Sequence, residues 1–166
     1  MRILGCALAA LAVNFISIAP AQAVEPADSA AVKALWSSLD WAWNARDAEK
    51  FSRIFTEDVS FEFVDRGQAL DSRTAVLEHF TERFPGFAPE LRHRTNIRQT
   101  LSIAPDVFGA DGIVEIQRMA THAGVVPVVL RTFAVFAVMA READGLRIRT
   151  LRIYALPTPD DVAAQG

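Results

Sequence analysis

The chain has 166 residues, of which 51% are hydrophobic and 22% are charged. This composition is typical of a globular domain and excludes a disordered, collagen-like or disulfide-rich protein. The formal net charge of −3 indicates no basic surface for nucleic-acid phosphates, so we expect no nucleic-acid partner.

Residues 1–23 have the features of a secretory signal peptide. Arg2 supplies a positive charge, residues 3–18 are almost wholly apolar, and Ala21-Gln22-Ala23 is an A-x-A cleavage site. The sequence therefore predicts a periplasmic or secreted protein with no membrane attachment after cleavage; a retained membrane anchor is the alternative. Cleavage also removes Cys6, so we expect no disulfide, no thiol catalysis and no cysteine-bound zinc.

The first half of the mature chain has the apolar spacing of helices around one strand. In chain order the pattern predicts a loose lead at 24–29, a helix from Asp28 or Ser29 to about Ala45, a short helix capped by Asp47 with Phe51, Ile54 and Phe55 buried, a strand at 58–64, a turn at 65–67, and a helix from Asp71 or Ser72 to Pro85-Gly86. The first of these helices has a tryptophan-rich face.

After Pro89 the apolar period changes to two, which indicates strands. The predicted elements are a strand around 91–98, a turn at Ala110-Asp111-Gly112, a strand at 113–122, a strand at 125–140, a hairpin turn at Ala143-Asp144-Gly145, a strand at 146–155 and a flexible tail at 157–166. Helices followed by antiparallel strands predict an α+β fold. Apolar residues on both faces of 125–140 predict a bent sheet around the first helix and a second subunit on the outer face.

Two segments resemble a known family. The run from Trp43 through Asn44-Ala45-Arg46-Asp47 to Val59 is similar to the opening of the SnoaL-like branch of the nuclear-transport-factor-2-like superfamily, and Asp144-Gly145-Leu146-Arg147-Ile148 is similar to its closing hairpin. The resemblance covers roughly residues 30–156. It implies a cone-shaped barrel, in which a curved antiparallel sheet closed by N-terminal helices holds an apolar pocket, and a homodimer that forms through the sheet. Because the superfamily includes isomerases, dehydratases, hydrolases, cyclases and binding modules, the fold does not settle the function.

His93 is the foremost candidate for catalysis, because it shares the apolar face of its strand with Leu91 and Thr95 and could act as a base near neutral pH. The alternative is a core histidine that is satisfied by a hydrogen bond. The scytalone-dehydratase-like members carry a histidine that faces the pocket on the corresponding strand, and an aspartate where this chain has Asn44. An amide can orient an imidazole but cannot stabilise its cation as a carboxylate does. Asp40, one turn earlier, could supply that charge, although a solvated side chain is the favoured interpretation.

The resemblance also implies a second pocket histidine, for which His122 is the candidate; an exposed position at a strand end is the alternative. Steroid isomerases of the superfamily use a tyrosine and an aspartate at positions that align with Leu39 and Phe63, so we do not expect that activity. The residues predicted to contact substrate are Trp36, Leu39, Trp43, Phe61, Phe63, Phe80 and His122.

Three hypotheses for the function follow. The first is an acid–base enzyme (a lyase, isomerase or hydrolase) that acts on a small apolar molecule without a cofactor or metal. In it His93 moves the proton and Asn44 or Asp40 orients His93. The second is a non-catalytic module that binds a small apolar ligand in the same pocket. The third is a structural dimer whose interior is filled by aromatic side chains.

Overall fold

A computed structural model describes residues 25–119, 126–158 and 161. The signal peptide predicted at 1–23 and most of the predicted tail lie outside the described residues. The helices are α1 (Pro26–Asn44), α2 (Ala48–Ser52) and α3 (Arg73–Arg83), with short 3₁₀ turns at Val64–Arg66 and Phe84–Gly86. The strands are β1 (Phe55–Phe63), β2 (Gln68–Leu70), β3 (Leu91–Ala104), β4 (Val107–Arg118), β5 (Val128–Glu142) and β6 (Gly145–Ala155).

Helix α1 begins at Pro26, so Asp28 and Ser29 lie within its first turn and do not cap it. The predicted loose lead at 24–29 is thus helical from residue 26. Proline suits the first helical position because its fixed φ is already helical and its missing N–H needs no partner. The helix buries the face on which the apolar residues recur, including Val32, Trp36 and Trp43.

The six strands form one curved, unclosed sheet in the order β2-β1-β6-β5-β4-β3. The sheet is antiparallel except between β1 and β6, which run parallel. The structure confirms the curved antiparallel sheet that the sequence predicted, with this pair as the exception among the described strands. The chain returns through α3 and three hairpin-connected strands before β6 pairs with β1, which leaves the two strands running in the same direction.

Two local predictions are wrong. Ile54 and Phe55 lie after the end of α2, and Phe55 begins β1, where it pairs with Ile148 of β6. The sequence placed both residues in the helix because they follow Phe51 at three- and four-residue spacing. The predicted turn at Ala110-Asp111-Gly112 lies inside β4.

Gly112 explains that second error, because it marks a bulge and not a turn. Residue Arg98 is the extra residue where β3 pairs Ile97 with Gly112 and Gln99 with Asp111. A Cβ atom on Gly112 would lie 2.5 Å from the Asn96 carbonyl oxygen. Glycine is therefore required here for close approach of two strands, and the bulge bends them.

The core lies between the concave face of the sheet and the three helices. No helix in the described ranges is long and apolar enough to cross a bilayer.

Candidate functional site

An apolar cavity of about 330 Å³ lies between α1, α3 and the concave face of the sheet. All six apolar residues that the sequence predicted to contact substrate line it: Trp36, Leu39, Trp43, Phe61, Phe63 and Phe80. The volume lies at the small end of the range for ligand sites. The aromatic side chains therefore surround a space and do not fill it, which argues against the hypothesis of a packed interior.

His93 lines the cavity from β3. Its imidazole is hydrogen-bonded to a side chain of α1. Its Nδ1 atom lies 2.7 Å from Oδ1 of Asp40. The same carboxylate accepts hydrogen bonds from the hydroxyl of Thr95 at 2.6 Å and from the Thr95 backbone N–H at 2.9 Å. The Asp40 side chain is only 23% exposed, so the favoured prediction of a solvated carboxylate is corrected.

Asn44 contacts His93 at the main chain and not at the ring. Its Nδ2 donates to the His93 carbonyl at 2.9 Å, and its Oδ1 accepts from the His93 N–H at 2.8 Å. The orienting contact to the imidazole that the sequence assigned to Asn44 or Asp40 is made by Asp40. Asp40 and Asn44 are one helical turn apart on the same face of α1. Asp40 reaches the imidazole of His93, whereas Asn44 reaches the backbone of the same residue.

The arrangement has the geometry of a general base with a positioning carboxylate. A carboxylate accepts hydrogen bonds, so Asp40 places the proton of the neutral His93 ring on Nδ1 and leaves Nε2 with a free lone pair. The ring also packs on Trp43, with centroids 5.2 Å apart. A proton taken by Nε2 would create an imidazolium next to the Asp40 carboxylate, which stabilises the positive charge.

His79 is a second cavity histidine that the sequence reasoning missed. It projects from α3 and packs between the rings of Phe63 and Phe80, at centroid distances of 5.6 and 5.1 Å. Burial lowers the pKa of His79 below its ordinary value, and the positive charge of Arg83 acts in the same direction. A signal was present, since His79 is three residues from buried Val76 and therefore borders the apolar stripe of its helix.

Trp36 has an unpaired donor. Its indole is 3% exposed, and its Nε1 atom has no hydrogen-bond partner within the described part of the chain. An N–H in this situation costs about 1–3 kcal/mol when it stays unsatisfied. Trp36 lines the cavity, so an oxygen acceptor bound within hydrogen-bond distance of this N–H would remove that cost.

Two remaining predictions concern His122 and metal binding. His122 lies outside the described residues. Within the described ranges, no group of three or more histidine, cysteine, aspartate or glutamate side chains could hold a metal ion.

Similar folds occur in several solved structures. A domain of unknown function with a cystatin-like fold from Nostoc punctiforme has a TM-score of 0.69 at 16% identity, covering 86% of this chain and 85% of its own. An NTF2-like protein from Novosphingobium aromaticivorans has a TM-score of 0.68 at 15% identity, covering 84% and 90%. A ketosteroid isomerase-like protein from Erwinia carotovora has a TM-score of 0.62 at 15% identity, covering 81% and 100%.

These likenesses establish the nuclear-transport-factor-2-like fold and leave the chemistry open. No curated protein matches the sequence. The family model for the SnoaL-like domain matches residues 25–152, which include every described element from α1 through most of β6. The chain therefore belongs to the SnoaL-like domain family.

Proposed function

We propose that this protein is a cofactor-independent acid–base enzyme, a lyase, isomerase or hydrolase, that acts on a small apolar molecule. The observation that carries the proposal is the 2.7 Å contact between Asp40 and the Nδ1 atom of a histidine that lines an otherwise apolar cavity. The contact fixes the orientation of the imidazole at the wall of the cavity.

In the proposed mechanism the Nε2 atom of His93 removes a proton from the substrate, or from a bound water in a hydrolase. In a lyase the released electron pair forms a double bond as a leaving group departs, and in an isomerase it shifts a double bond already present. In a hydrolase the hydroxide that remains attacks the substrate and displaces a leaving group. Asp40 stabilises the imidazolium, which then returns the proton to the substrate or to a leaving group. The apolar walls exclude water and so strengthen the interaction between Asp40 and the charged ring.

One observation favours a binding module as the second candidate. Among the described residues, the only carboxylate that lines the cavity is Asp65, and its Oδ2 accepts a hydrogen bond from the Ala155 N–H. A reaction that needs a separate acid at the substrate would have to draw on His79 or on the substrate itself. A module that only binds needs neither group.

A single-base reaction tests the proposal before the natural substrate is known. The probe is 5-nitrobenzisoxazole, a small, mainly apolar molecule whose ring opens when one base removes its carbon-bound proton. We expect His93→Gln to slow this reaction by roughly 10²-fold or more, as is usual when a general base is lost. Asp40→Asn should also slow it, because the imidazolium loses its neighbouring negative charge. Asp58→Asn is the matched control, because it removes an exposed carboxylate that pairs with Arg149.

A wild-type rate no higher than that of His93→Gln would refute the enzymatic proposal. Native mass spectrometry of the purified protein then distinguishes the second candidate. A bound molecule that is released chemically unchanged, and that the wild type and His93→Gln hold equally well, would identify a binding module.

We further propose an exported protein that forms a homodimer through the convex face of the sheet. The apolar start of the chain supports export. Two exposed aromatic side chains support the dimer: Phe136 of β5 is 42% exposed and Tyr154 of β6 is 40% exposed. Their neighbours Val135 and Ile153 line the cavity, so the aromatic pair lies on the opposite face.

A further inference from the structure

The cavity has a cationic end that the proposed acid–base reaction does not use. Arg66, in the 3₁₀ turn after β1, and Arg83, in the last turn of α3, both line the cavity. His79 lies in the same wall. Two separate elements therefore bring a guanidinium group to the same space that His93 borders from β3.

Neither guanidinium has an anionic partner in the part of the chain that the structure describes. Among the described residues, no carboxylate oxygen lies within 4.0 Å of Arg66 or Arg83. Many other arginines are paired: Arg53, Arg73, Arg131, Arg141, Arg147, Arg149 and Arg152 each lie within that distance of an acidic side chain. Other described arginines also lack an acidic partner, but Arg66 and Arg83 are the only described arginines that line the cavity.

Aromatic packing places the Arg66 guanidinium beside the apolar wall. Its Cζ atom lies 5.7 Å from the ring centroid of Phe63, and the ring of His79 lies 5.6 Å from the same Phe63. A guanidinium near aromatic rings can approach an apolar ligand and still offer its N–H donors to an anion.

Two neighbouring acids offset part of this positive charge. Asp65 lines the cavity and accepts the Ala155 N–H. Glu82 raises the pKa of His79, with an effect smaller than that of Arg83 and larger than that of Arg66. Neither acid forms an ion pair with Arg66 or Arg83 among the described residues. The partial negative charge at the end of α3 favours a cation at Arg83. That effect does not account for Arg66, which lies on a different element.

We propose that the cavity accepts an apolar carboxylic acid, whose carboxylate lies between Arg66 and Arg83 and whose apolar body extends along the aromatic wall toward His93. This inference deepens the proposed function, on which its relevance to catalysis rests, by naming a substrate class. Arginine binds carboxylates through two parallel N–H donors, which fixes the orientation of the acid. The acid would then present a defined carbon to the imidazole.

Matched acids and amides test this inference by calorimetry on the full-length mature protein. The probes are phenylacetate, 2-naphthylacetate and 4-phenylbutanoate, each compared with its neutral primary amide. Acid and amide have nearly the same size and differ in charge. We expect at least one acid to bind the wild type more tightly than its amide by roughly tenfold, since a good charged contact contributes about 1.4 kcal/mol. The preference should fall as salt is added, because the arginines are partly exposed.

Two variants and one control locate the effect. Arg66→Gln and Arg83→Gln should each reduce the acid preference by roughly threefold to tenfold and leave amide binding nearly unchanged. Arg94→Gln is the control, because Arg94 is an exposed arginine on the outward face of β3 and does not line the cavity. It should leave the preference intact.

The inference is overturned if no acid binds, if acid and amide bind equally, or if Arg94→Gln reduces the preference as much as the two cavity variants do. Failure of the acid–base proposal is separate from these outcomes. A lost acid preference with a normal ring opening of 5-nitrobenzisoxazole would overturn only the substrate class. An intact preference with no His93-dependent reaction would overturn only the enzymatic proposal.

Discussion

The contact between Asp40 and His93 can be measured without a substrate by a double-mutant cycle of unfolding free energies. The variants are Asp40→Asn, which keeps the shape of the side chain, and His93→Phe, which keeps a ring against Trp43. The coupling energy is the part of the double variant's destabilisation that the two single variants do not explain.

The geometry sets the expected size of this coupling. The His93 and Asp40 side chains are 10% and 23% exposed, and their atoms are 2.7 Å apart. A hydrogen bond to a charged group in such surroundings contributes about 1.5–3 kcal/mol. Asp40→Asn alone should cost roughly 2–4 kcal/mol, because its amide also places a donor against the Thr95 N–H or its hydroxyl.

Urea unfolding near neutral pH provides the assay, with Asp58→Asn as the control. Asp58 and Arg149 have side chains that are 66% and 60% exposed, so that control should cost at most about 1 kcal/mol. A coupling below about 0.5 kcal/mol between Asp40 and His93 would mean that the two residues act independently. The mechanism would then lose the interaction on which it depends.

Three other predictions concern different parts of the molecule. Asn44→Ala removes both side-chain hydrogen bonds to the His93 backbone; it should cost about 1–3 kcal/mol and speed hydrogen exchange at the His93 amide, and unchanged exchange would contradict the contact. Burial lowers the pKa of His79 below 6.5, so the unfolded chain binds that proton more readily. Wild-type stability should therefore fall as the pH drops below about 6.5, and His79→Gln should lose less; equal losses in urea unfolding would argue against it. Phe136→Asp should give a monomer in native mass spectrometry, whereas an unchanged dimer would exclude this face.

The sequence predicted the residues that line the cavity better than it predicted the hydrogen bonds that orient His93. Periodicity places Trp36, Trp43 and His93 on inward faces, because burial repeats with the helical or strand period. The family and the α+β fold are confirmed by the match to the SnoaL-like model and by the structure. The sequence named Asp40 as a partner of His93 only beside Asn44, and it favoured a solvated Asp40. Choosing between the two residues depends on the distance between a helix and a strand far apart in the chain.

The tripeptide Ala-Asp-Gly shows a second limit of local reasoning. At 143–145 it joins β5 to β6, and Gly145 has a φ of 139° that suits glycine. At 110–112 the same three residues lie inside β4, where the glycine admits the backbone of β3. The same tripeptide forms a turn at one place and allows two strands to approach closely at the other. Only the contacts with neighbouring strands distinguish the two cases.

The contacts from α1 to β3 have a consequence for solubility. Strand β3 is at the margin of the sheet, so every second residue has an amide and a carbonyl with no neighbouring strand. Asp40 and Asn44 of α1 bind these groups at Thr95 and His93, and Arg46, two residues after the helix, binds the Leu91 carbonyl. An exposed strand edge invites pairing with another chain and aggregation. The side chains that hold the candidate base in place thus also cover the first part of this strand edge. A variant selected for altered chemistry at Asp40 or Asn44 would expose that part and become prone to edge-to-edge association.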